Sequence, residues 1–182
     1  PGGGSVAAYL GSLGVSLVSM VINLNIEKKE WKKLYEKMNK IGYEMQSFRM
    51  QLLDLVDADS NSFKDVINAF QMPRSNKKEM NIRKEKIQES YKKAALVPYK
   101  VLSIVIEAME GTNKTAIESS ENSISDIAVA MECMRSAALG AIYNIRINLK
   151  EIDDQKFINK YRKLVANCEK SINIYYDRIK NN

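Results

Sequence analysis

The chain has 182 residues, 45% hydrophobic and 27% charged, with 28 Lys and Arg against 22 Asp and Glu and no histidine. Without histidine there is no His-activated serine or cysteine, no imidazole proton relay and no imidazole-bound zinc, so acid–base chemistry falls to Asp, Glu, Lys, Tyr or water. Three prolines and eight glycines argue against a loop-rich β fold, and Cys133 and Cys168, without a second pair, signal neither disulfide framework nor metal knuckle, which implies a reducing, cytoplasmic setting.

The length suits one domain over residues 1–182 with a full core. It opens on Pro1 rather than methionine, and a fragment lacking an upstream part is expected. Pro1-Gly2-Gly3-Gly4-Ser5 is a flexible backbone that can approach a ligand closely before a helix opens at Ser5. No Gly-Lys-Ser or Gly-Lys-Thr follows, so it is not a Walker loop. From Ser5 to Ile26 no residue is charged. That length can cross a bilayer, but Ser12, Ser16, Ser19, Asn23 and Asn25 are a heavy polar load for a lone span. Gly4, Ala8, Gly11, Ser12, Val15 and Ser19 form a small-residue stripe that admits a close neighbour. The expectation is a helix buried on nearly all sides, part of that burial coming from a second subunit, and no membrane insertion.

From Trp31 two heptad series follow, Trp31, Met38, Met45, Leu52 and Leu34, Ile41, Phe48, Leu55, which predict a long bundle helix. Asp54, Asp57 and Asp59 come next. Asp57 suits the cap of a following short helix through Phe63, Val66, Ile67 and Phe70, closed by Met72-Pro73. Asp59 shares a face with Phe63, where a carboxylate entering an apolar site becomes useful for acid–base work. A third pattern runs through Ile87, Tyr91, Ala94, Ala95, Val101, Leu102, Val105 and Met109, and Pro98 should kink or split it. Gly111 to Ser123 reads as a polar loop. Ile124 to Leu149 is helical again, and Phe157, Tyr161, Leu164, Cys168, Ile172, Tyr175 and Ile179 give a last helix. The fold class is all-α, an up-and-down bundle of five or six long helices.

The helix from Ile124 has two informative faces. Ile124, Ile127, Met131, Met134, Ala138, Ala141 and Ile145 form a core seam. Asp126, Ala130, Cys133, Ala137, Gly140, Asn144 and Asn148 fall on another line, polar at both ends and small between. It fits either a close helix contact capped at Asp126 or space beside amides that bind a flat ligand. The +6 charge is interleaved with acidic residues at helical spacing, as in Glu36 to Lys40 and Glu89 to Lys93. That pattern belongs to solvated helix faces, not to a nucleic-acid surface.

Several motifs stand in one order. They are Pro1-Gly2-Gly3-Gly4-Ser5-Val6-Ala7-Ala8 with Ser19-Met20-Val21, then Leu55-Val56-Asp57-Ala58-Asp59 followed by Phe63, and Ala95-Leu96-Val97-Pro98. Ser125-Asp126 and Tyr143-Asn144-Ile145-Arg146-Ile147-Asn148-Leu149-Lys150 complete the set. By these the chain resembles the cyclodeaminase/cyclohydrolase family, which comprises the cyclodeaminase domain of formiminotransferase-cyclodeaminase and bacterial methenyltetrahydrofolate cyclohydrolases. The resemblance implies a helical homodimer joined through the first helix, with a folate site between subunits and Asp59 as catalytic acid and base. The implied reaction cyclises 5-formiminotetrahydrofolate to 5,10-methenyltetrahydrofolate with loss of ammonia; the alternatives are cyclohydrolase activity or a non-catalytic dimerisation module. Gly3, Gly4, Ser5, Asp57, Asp126, Asn144 and Asn148 are the expected substrate contacts, with Lys28, Lys29 and Arg146 for a tail that can be polyglutamylated. No cofactor beyond the tetrahydrofolate substrate and no metal are expected. The chain departs from the family by lacking the helix before Pro1, by Glu27-Lys28-Lys29 in place of Gly-Lys-Lys, and by a glycine-free segment before Ser125.

Overall fold

A computed structural model describes residues 2–26, 32–119 and 121–180. They form five α-helices and no strand: α1 Gly3–Asn25, α2 Tyr35–Gln71, α3 Lys77–Glu118, α4 Glu121–Leu149 and α5 Gln155–Lys180. α1 packs on α2 and α4, and α3 packs on both from the other side, so α1 and α3 stand on one diagonal of a four-helix square; α5 lies outside it against α3 and α4. Successive helices are antiparallel. Along α1 and α2, Ser5 meets Asp59 and Ser19 meets Gln46, and Asn148 of α4 meets Ala94 of α3.

The core holds the seams that periodicity indicates. Met38, Met45 and Leu52 of α2 and Ile127, Met131, Met134, Ala138, Ala141 and Ile145 of α4 are all buried; Trp31 lies outside the described residues. The small stripe of α1 is buried along its whole length, because each small residue lets a neighbouring helix come close. A side-chain carbon on Gly11 would stand 3.0 Å from Val105 and one on Gly14 2.9 Å from the Ala130 carbonyl. By length and composition α1 would pass for a membrane span, yet its buried residues belong to this core. Burial is not all round: Val6, Tyr9, Leu13, Met20 and Leu24 are exposed on the one side the bundle leaves open.

Three boundaries differ from the sequence reading. α2 runs without a break to Gln71, so the short helix after Leu55 is its continuation, and Asp57 lies inside a helix, not at a cap. The stretch read as a loop from Gly111 is helical to Glu118, and α4 already begins at Glu121. Three polar residues of this stretch are buried and satisfied within the bundle: Thr112 and Thr115 return their hydroxyls to carbonyls one turn back, and the Asn113 amide donates to Met109 O and Tyr175 O at 3.0 Å. Asp126 therefore sits past the first turn of α4, not at its cap. α5 does begin on a side-chain cap, with Asp154 Oδ1 accepting from Phe157 N at 3.1 Å. The hydrogen bond from Lys92 holds the Asp154 carboxyl below the usual carboxylate range, and the Phe157 amide adds to it.

The third difference is Pro98, which stands buried inside α3 without ending it. Proline has no N–H to offer the carbonyl four residues back, which here is that of the buried Ala94. Asn148 Nδ2 from α4 donates to that carbonyl at 3.1 Å. A side chain from the next helix thus replaces the hydrogen bond that the sequence alone shows as lost.

Candidate functional site

α1 begins at Gly3, after its N-cap Gly2. Gly3 stands beside Asn144 of α4 and Gly4 beside Asp59 of α2, while α2 continues for three more turns to Gln71 and α3 begins well before this level. A cavity of about 580 Å³ lies here, floored by Gly2 and Gly3 and walled by α2, α3 and α4.

The floor and the polar wall are tightly joined. Ser5 Oγ lies 2.8 Å from Asp59 Oδ2, its hydrogen-bond acceptor, and 3.1 Å from the Val56 carbonyl, with Ser60 Oγ at 3.3 Å. Ser62 Oγ donates to the Asp59 carbonyl at 2.8 Å. Gly4 has no room for a side chain, since a carbon there would land on the Asp59 carboxylate; one on Gly3 would stand 3.2 Å from Asn144 Nδ2. The first-turn N–H groups of α1 have no intrahelical acceptor, and no side chain caps them. A helix N-terminus of this kind attracts negative charge, here the Asp59 carboxylate.

On α4, Asn144 Nδ2 donates to Gly140 O at 2.8 Å, and Asn148 Nδ2 donates to Asn144 O at 2.9 Å as well as to Ala94 O. Their amide protons thus hold the helix and its neighbour, and Asn148 Oδ1 has no hydrogen bond among the described residues. The remaining wall is apolar and aromatic, with Phe63, Tyr91, Ala94 and Ile147, and the outer end carries Lys64 and Glu151. Burial pushes the Tyr91 phenol up, and the Glu151 carboxylate adds to the shift.

Of the residues singled out from sequence, Gly3, Asp59, Asn144 and Asn148 line this one cavity, with Gly4 and Ser5 directly behind the carboxylate. Asp57 is exposed on α2 outside the cavity lining. Asp126 is on α4 about 27 Å along the axis from Asn144, at 1.5 Å per residue. Arg146 faces α5, where it pairs with Glu169 at 2.8 Å. Lys28 and Lys29 lie outside the described residues. Sequence reading missed Ser60, Lys64, Tyr91, Ile147 and Glu151 as lining residues. Ile147 was signalled by its place one turn from Asn144, and Ser60 and Lys64 form a second i, i+4 row beside Asp59 and Phe63.

In this all-helical bundle a carboxylate, hydroxyls and amides gather on one cavity, apolar on one wall and polar on the other, which suits a small molecule. The family model described as formiminotransferase-cyclodeaminase matches residues 1–167, and the chain belongs to that family. It is 31% identical over 166 residues to the formimidoyltransferase-cyclodeaminase of Rattus norvegicus, a match covering 91% of this chain and 31% of that protein. The chain spans about a third of the length of the mammalian relatives it matches. It is 32% identical to the methenyltetrahydrofolate cyclohydrolase of Methylorubrum extorquens, over 86% of this chain and 76% of that protein. Among solved structures, the formiminotetrahydrofolate cyclodeaminase of Thermotoga maritima superposes with a TM-score of 0.90 at 28% identity, covering 100% of this chain and 86% of that one.

Proposed function

We propose that the chain is a folate one-carbon enzyme, a formimidoyltetrahydrofolate cyclodeaminase that closes 5-formiminotetrahydrofolate to 5,10-methenyltetrahydrofolate and releases ammonia. The observation that carries this reading is Asp59, a carboxylate held by Ser5 at 2.8 Å on the floor of a cavity with one aromatic and one amide wall. N10 attacks the formimino carbon and must lose a proton; the departing nitrogen must gain one to leave as ammonia. A single carboxylate beside both nitrogens carries that proton from one to the other. The Ser5 hydroxyl fixes which oxygen faces the substrate. Asn148 Oδ1 and the floor of α1 supply an acceptor and N–H donors for the pterin edge. No atom changes oxidation state, so the reaction needs no redox cofactor. Dialysis against a chelator should leave the rate unchanged.

The Methylorubrum relative, matched over three quarters of its own length, favours one second reading: hydrolysis of the methenyl bridge to 10-formyltetrahydrofolate, with water in place of N10. One assay pair separates the two. Purified protein given 5-formiminotetrahydrofolate should release ammonia as methenyl absorbance rises, and Asp59→Asn should abolish both signals. Consumption of the methenyl compound without ammonia chemistry selects the hydrolase, and inactivity of the folded protein in both assays rejects both.

The assembly we propose is a homodimer closed over α1. Val6, Tyr9, Leu13, Met20 and Leu24 recur at coiled-coil spacing on its open side, flanked by the exposed Met50 and Leu53 of α2 and Val129 and Tyr143 of α4. Such a continuous apolar face suits a second copy. It starts within a turn of Gly3, so the partner would overhang the cavity. Leu13→Glu should shift sedimentation from dimer to monomer; a wild-type monomer would reject the assembly.

A further inference from the structure

Three charged side chains among the described residues stand on the cavity wall, Asp59 on the floor and Lys64 and Glu151 at the outer end. Lys64 is the cation among them. Four lysines near this end of the bundle are already committed: Lys84 to Asp153 at 3.6 Å, Lys86 and Lys93 to Glu89 at 2.9 and 3.2 Å, and Lys92 to Asp154 at 2.7 Å. Lys64 makes no ion pair with a described residue. Its charge therefore faces the cavity mouth without a carboxylate to answer it, although Glu151 stands on the far wall.

The spacing suits a ligand with an acidic end. Lys64 is five residues beyond Asp59 on α2, about 7.5 Å along the axis, with Phe63 between them on the same wall and 64% exposed. An aromatic ring leaving the reacting atoms at Asp59 would pass Phe63 and Tyr91 before reaching the ammonium. Glu151 repels an anion from the α4 side and so directs it toward α2. Arg146, spent on Glu169, is not available for this task.

We infer that Lys64 is a specificity-determining residue that holds the carboxylate of the substrate's glutamate tail, an inference that rests on the folate reading above. The test measures affinity, by calorimetry, for tetrahydrofolate and for tetrahydropteroate, which has the same rings without the glutamate. The wild-type protein should prefer tetrahydrofolate by about tenfold, the size expected of one partly exposed charge-assisted contact. Lys64→Gln should erase that preference, Lys64→Arg should keep most of it, and high salt should shrink it in the wild type. Equal weakening of both ligands by Lys64→Gln, or no weakening of either, overturns the role of Lys64 while leaving the folate reading intact. Failure of the wild-type protein to bind either compound overturns the folate reading and this inference with it.

Discussion

The line on α4 from Asp126 to Asn148 reads in sequence as one feature, polar at each end and small between, yet its two ends meet opposite fates. At the Asp126 end α1 runs alongside to its last residue, and Asn25 Nδ2 donates to Ser123 Oγ at 3.1 Å, closing the seam. At the Asn148 end, Asn144 and Asn148 line the cavity together with Gly3. The small middle does what a helix contact requires: Gly140 receives Ala7, and Ala130 lies against Gly14. The close helix contact therefore holds along the small middle, and open space lies beside the amides at the Asn148 end. What differs between the two stretches is whether α1 lies against them.

The two glycines of α1 on either side of this divide give the sharpest way to break the comparison. Gly4 faces the Asp59 carboxylate, and a methyl there must push that carboxylate aside. A displacement of about 1 Å in a catalytic group costs on the order of 10²-fold in rate. Gly4→Ala should therefore abolish most of kcat while the protein still folds, because a carboxylate at a cavity edge has room to move. Gly14 is on the closed side, where a methyl would stand 2.8 Å from Met134 Cγ and 2.9 Å from a backbone oxygen. Gly14→Ala should cost about 1–3 kcal/mol of stability by denaturant titration, with the rate per folded molecule near that of the wild type. If Gly4→Ala behaved like Gly14→Ala, the cavity would have no catalytic meaning.

Much of this was legible before any coordinates. The heptads of α2, the core seam of α4 and the three- and four-residue steps of α5 each report a buried face, because periodicity is the direct imprint of burial. Asp59 and the Gly3-Gly4-Ser5 turn were legible as candidates, but their meeting was not, since it depends on α1 and α2 being antiparallel and in register. The stretch after Gly111 was misread because polarity was taken for solvent. Thr112, Asn113 and Thr115 are buried and satisfied by their own helix, Asn113 by α5 as well. Lys64 was illegible among so many lysines. Its place on the cavity wall distinguishes it.

Pro98 and Asn148 offer the finest cut, since they connect the two sides of the divide through one carbonyl. Asn148→Ala leaves the buried Ala94 C=O without a donor and should cost about 1–3 kcal/mol. Pro98→Ala restores the N–H that α3 lacks, so Asn148→Ala in that background should cost less, with a coupling of about 1 kcal/mol in a double-mutant cycle. Additivity within about 0.3 kcal/mol would mean that the asparagine does not replace the missing helix bond. The same cycle read in ligand affinity should come out differently. Asn148 Oδ1 is free among the described residues, and its loss deprives the ligand of an acceptor whichever residue stands at 98. Stability should thus be rescued by Pro98→Ala and affinity should not, which separates the part of Asn148 that builds the wall from the part that the wall presents.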